Sequence, residues 1–60
     1  MNEFIYDETA PYSVNFNRWY HANTVERELY KEKKMSFEDA EITFRKMWGF
    51  KKLAEKVFIN

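Results

Sequence analysis

Tyr12-Ser13-Val14-Asn15-Phe16-Asn17 alternates apolar and polar side chains at every step, the period of a strand with one buried face. If these six residues are a strand, the chain is α+β; if not, the helical periodicity downstream makes it mainly α. Thr9-Ala10-Pro11 precedes them as a breaker, because the residue before a proline is pushed toward extended backbone. Further back, Glu3 to Asp7 reads as an ordered arm or as a second short strand able to form a hairpin with the first.

Downstream, the periodicity changes. Between Arg18 and Lys34 the apolar positions Trp19, Ala22, Val25 and Leu29 recur at spacings of three, three and four, which places them on one helical face. Asn17 is one candidate cap for this helix; Asn23, with Glu26 three residues on, is another. Lys31-Glu32-Lys33-Lys34 sets cations at its negative end. Ser36-Phe37-Glu38-Asp39 then reads as a second helix start, a serine cap followed by acidic residues where the helix dipole favours them. Met35 and Ala40 are placed for a weak hydrophobic staple. The stripe Phe37, Ala40, Phe44, Met47, Trp48 carries this helix to residue 48.

Beyond Gly49 the next apolar group is Phe50, Leu53, Ala54 and Val57. On one straight helix it would be rotated by about 100° from the earlier stripe, so a single helix does not bury both. A left-handed Gly49 would stop the helix and fold Phe50 back toward Phe44, predicting a short third helix near 51–58; one helix bent at Gly49 is the alternative. The expected architecture is one small domain over residues 1–60. Residues 1–16 form an extended arm or strands, helices near 18–34 and 37–48 form an antiparallel hairpin because their connection is short, and a short C-terminal helix completes the chain.

Composition narrows the chemistry. A chain of 60 residues with zero Cys and one His has neither the disulfides nor the ligand set for zinc with which small domains often reinforce a thin core. His21 is expected to be an ordinary helical residue. The N-terminal run Met1-Asn2-Glu3-Phe4-Ile5-Tyr6-Asp7 has no basic lead and no apolar run, which predicts no secretory leader. With the absence of cysteine it points to a cytoplasmic protein, and no apolar run is long enough to span a bilayer. No Ser or Cys stands with a base in a nucleophilic pattern, and Gly49 is the only glycine, so no phosphate loop exists. Neither an enzyme, a cofactor, a metal nor a small-molecule substrate is expected.

Six Phe, four Tyr and two Trp are many for a core this small; a surplus suits a partner surface, since aromatic rings carry much of the energy at protein interfaces. Formal charge is zero overall but uneven: residues 1–30 carry two cations against five anions, and residues 31–60 eight against five. The run Arg45-Lys46-Met47-Trp48-Gly49-Phe50-Lys51-Lys52 interleaves aromatic rings with cations, the composition of a contact surface for an acidic protein or a nucleic-acid backbone. Trp48 and Phe50 are its candidate anchors; Arg45, Lys46, Lys51 and Lys52 are its candidate polar contacts. These features together indicate a small non-catalytic protein-binding module contacting a larger protein or a homodimer mate. By analogy with small phage and mobile-element proteins, it would act as a regulator or inhibitor that covers a site on that partner.

A strand followed by two helices also resembles the ribbon-helix-helix family of dimeric DNA-binding repressors, over residues 12–48. That resemblance implies a strand from each subunit pairing in the major groove, with Val14 and Phe16 toward the dimer core and Ser13, Asn15 and Asn17 as base readers. The chain departs from the pattern in several places. The turn Lys33-Lys34-Met35-Ser36 has no glycine, Glu41 stands where a core aliphatic is expected, and Arg18 is the only basic residue beside the strand. A helix-turn-helix about Gly49 would need a small residue where Arg45 stands. The homodimeric repressor is therefore the alternative reading.

Overall fold

The computed structural model describes the backbone of residues 4–59 and the side chains of residues 4–53. Two helices, α1 (Tyr12–Leu29) and α2 (Phe37–Ile59), pack as a hairpin, and no strand occurs among the described residues. The alternating stretch 12–17 is thus the first turn and a half of α1. Tyr12, Phe16, Trp19 and Tyr20 fall at i, i+4, i+7 and i+8, a helical stripe that a window of six residues does not distinguish from alternation. No hairpin joins 12–17 to residues 4–7; Glu3 lies outside the described residues.

Pro11, not Asn17 or Asn23, occupies the N-cap, with φ −61° and ψ 158°, a φ that the proline ring sets by itself. The helix also stops earlier than residue 34. Lys31 adopts φ 56°, its N–H donates to the Glu28 carbonyl at 3.2 Å, and the Glu32 N–H donates to the Arg27 carbonyl at 2.7 Å. This is a Schellman turn built on a residue with a side chain in the left-handed position that usually takes glycine. Leu29, expected on the buried face, is the last residue of α1 and is 73% exposed.

Ser36 caps α2 as its sequence indicates: its Oγ accepts the Asp39 N–H at 3.1 Å, with Glu38 and Asp39 in the first turn. The helix is bent where Trp48 leaves helical geometry at φ −129°, ψ 16°. No glycine has a positive φ, so Gly49 does not form the left-handed stop, and residues 51–58 continue the bent element. The side chains of Ala54, Val57 and Phe58 lie outside the described residues.

The core is aromatic and centred on Phe44, which is fully buried with Ala40. Its ring lies 5.1–5.5 Å, centroid to centroid, from Trp48, Trp19, Tyr12 and Phe16. Phe4 and Tyr6 of the N-terminal segment close over it at 6.2 and 6.4 Å. Edge-to-face and offset pairs of this kind add about 0.5–1.5 kcal/mol each beyond the area they bury. Much of the aromatic surplus is therefore consumed by the fold.

Asn15 fixes the N-terminal segment in place. It is completely buried; its Oδ1 accepts the Asp7 N–H at 2.7 Å, and its Nδ2 donates to the carbonyls of Asp7, Ala10 and Pro11 at 3.0–3.2 Å. Asp7 shapes the intervening turn by accepting the Thr9 N–H and hydroxyl. Two surface ion pairs, Arg18 with Asp7 and Lys51 with Glu8, complete the attachment.

Candidate functional site

The cation-aromatic run at 45–52 is split by the geometry into residues that hold the fold and residues that face outward. Trp48 is half-buried against Phe4, Tyr6 and Phe44, which makes it a wall of the core. Lys51 pairs with Glu8 and lies 5.4 Å from the centroid of the Tyr6 ring, so it clamps the N-terminal segment. Phe50 is 60% exposed, and Leu53, which the periodicity assigns to the buried face of a third helix, is 66% exposed.

These two apolar side chains share an open depression of about 490 Å³ with Arg45, Gly49 and Lys52. The physical reason lies in the helix period: Ala40, Phe44 and Trp48 take the side that meets α1, and one helix cannot turn a second group the same way. Ile42, 46% exposed, sits about 160° around the helix from Phe44 and extends the outward apolar surface one to two turns toward the start of α2. Lys46 projects from the same side and is exposed. The sequence alone singles out Phe50 and the cations as surface candidates and does not mark Leu53 or Ile42 as exposed, which they are. The rotation of the second apolar group was the signal; it marks an unburied face and not a chain break that buries it.

Arg45, Lys46 and Lys52 form no salt bridge with a described carboxylate, whereas Arg18, Arg27, Lys34 and Lys51 each have one. Arg45 and Lys52 also line a second cavity, of about 230 Å³, with Tyr12, Ser13, Phe16 and Glu41. Lys52 Nζ stands 5.5 Å from the Tyr12 ring centroid. Burial pushes the Tyr12 phenol above its ordinary value, an effect opposed by the Arg45 charge and reinforced by Glu41. The two cations therefore stand between the apolar depression and a mixed cavity that Ser13 and Glu41 also line.

The residues of the alternative reading are separated. Ser13 borders the smaller cavity, Asn17 is exposed, and Asn15 is enclosed with its amide committed to backbone groups. The strand on which they were to line up is helix. His21 is exposed on α1. Among the described residues no group of three His, Asp or Glu side chains is placed to hold a metal, and no helix is long and apolar enough to cross a membrane. The chain matches no protein-family model, no curated protein and no solved structure.

Proposed function

We propose that this chain is a non-catalytic protein-binding module that works through the outward face of α2, as a regulator or inhibitor covering a site on a larger protein. One observation carries the reading. Phe50 and Leu53 stay 60% and 66% exposed beside an open depression, in a chain whose other described rings are, apart from Tyr30 and Phe37, at least half-covered. Their burial in a partner would contribute up to about 1.5–3 kcal/mol for each fully covered side chain, the energy scale of an interface anchor. Arg45, Lys46 and Lys52 supply the polar rim. Trp48 and Lys51 contribute indirectly, by holding the helix and the N-terminal segment that present the face.

The test is affinity capture from extracts of the cells that encode the chain, using wild type and the double variant Phe50→Ser, Leu53→Ser, with circular dichroism to check that both are folded. A partner retained stoichiometrically by wild type and lost by the variant supports the module. The same partners on both proteins would overturn it. The repressor alternative has no observation in its favour, and fluorescence anisotropy with a DNA duplex at low and raised salt checks it directly, since phosphate contacts weaken steeply with salt.

A further inference from the structure

Resting on that reading, we infer the kind of partner: an acidic amphipathic helix laid along the outward face of α2. From Ile42 to Leu53 this face runs at most about 17 Å at 1.5 Å per residue, with the bend at Trp48 inside it, room for about two to three turns of a partner helix. Gly49 sits within it without a Cβ, and the nearest side-chain atom to where a Cβ would be is Arg45 Cγ, at 3.2 Å. Apolar side chains spaced i, i+3 or i+4 on the partner would fill the depression between Phe50 and Leu53, the helix-in-groove mode of recognition.

Charge selects among occupants. Arg45 and Lys52 line the apolar depression, Lys46 is exposed one turn before Phe50, and none of the three forms a salt bridge with a described carboxylate, so carboxylates on the partner would complete them. A second copy would bring two positively charged faces into one interface, where like charges near one another are costly, and self-association is an outcome of the test. A nucleic acid would answer the cations but leave Leu53 and Ile42 unused. Binding an acidic helix satisfies both components of the face.

The probe is a fluorescent synthetic helix of Leu, Ala and Glu with Leu on one stripe, compared with the same peptide carrying Lys for every Glu. Wild type is expected to bind the Glu peptide at least about tenfold more tightly than the Lys peptide, a difference of about 1.4 kcal/mol. The triple variant Arg45→Glu, Lys46→Glu, Lys52→Glu should reverse that preference; these side chains are exposed, and circular dichroism verifies its fold. Equal binding of the two peptides, or binding of neither, overturns the acidic-helix assignment. So does tighter binding to phosphatidylserine vesicles, to a DNA duplex or to itself by light scattering than to the Glu peptide. If the peptides fail while Phe50→Ser, Leu53→Ser still abolishes partner capture, the assignment is wrong and the module stands; if capture survives that variant, the module itself is wrong.

Discussion

Replacing Asn15 by alanine deletes the amide that joins α1 to the N-terminal segment. The side chain accepts one bond from the Asp7 N–H, and its two amide protons serve three carbonyls, equivalent to three full hydrogen bonds. At about 1 kcal/mol net apiece this is about 3 kcal/mol. Asp7 is only half-buried and its carbonyl keeps the Ala10 N–H at 3.1 Å, so water recovers part of the loss and about 2–3 kcal/mol is expected. A domain of this length has roughly 3–9 kcal/mol in total. Urea unfolding followed by the fluorescence of Trp19 and Trp48 should show the midpoint falling by about 2–3 M, taking a slope of about 1 kcal/mol/M. The exposed neighbour supplies the control: Asn17→Ala should stay within about 0.5 kcal/mol of wild type. Asn15→Asp sharpens the test, because a carboxylate would face the Ala10 and Pro11 carbonyls with no proton to donate, whereas the neutral acid retains one. The introduced carboxyl should therefore have a raised pKa in the fold, and the variant's deficit should grow as pH rises. An Asn15→Ala protein as stable as wild type, or no less stable than Asn17→Ala, would refute the role assigned to this amide.

Lys31→Gly should stabilise the chain by about 1 kcal/mol, since a side chain at φ 56° carries a left-handed penalty of about 1–2 kcal/mol that glycine avoids at some entropic cost; a lowered melting temperature would contradict the Schellman turn. Gly49→Ala should gain up to about 1 kcal/mol of helix propensity, because the exposed Arg45 side chain, whose Cγ would lie 3.2 Å from the new Cβ, can shift; a clear loss by urea titration would show that the bend at Trp48 requires glycine. Stability should also fall at both ends of a pH series. Hydrogen bonds from the Thr9 side chain and backbone, then Arg18, hold the Asp7 carboxyl below its ordinary value, so its contribution is present above about pH 4 and is lost as pH falls through the folded pKa. Burial raises the Tyr12 phenol, so its contribution is present below about pH 10 and is lost as pH rises through the folded pKa. Asp7→Asn and Tyr12→Phe should flatten the acid and alkaline limbs respectively; an unchanged limb would remove the assigned group.

Local chemistry was legible wherever a residue acts on its own neighbours. Ser36 with Glu38 and Asp39 starts a helix whatever surrounds it, because the cap and the dipole are satisfied within one turn. The short connection makes the pair of helices a hairpin, and the spacing of Ala40, Phe44 and Trp48 selects the face of α2 that meets α1. The sequence also holds the misregister of Phe50 and Leu53 against that stripe, from which the outward face derives. Tertiary structure decided the rest. Whether Tyr12 to Asn17 is strand or helix depends on Phe44, against which Tyr12 and Phe16 pack, and on a segment eight residues back that supplies partners for Asn15. The same amide that could read an adenine edge pairs here with a peptide group, and nothing in residue type separates the two uses. Where α1 ends rests on a lysine in a conformation for which lysine has no preference, held by the carbonyls of Arg27 and Glu28. The division of the rings between core and surface was settled by the N-terminal segment folding over Phe44, because a ring's burial is a property of what covers it.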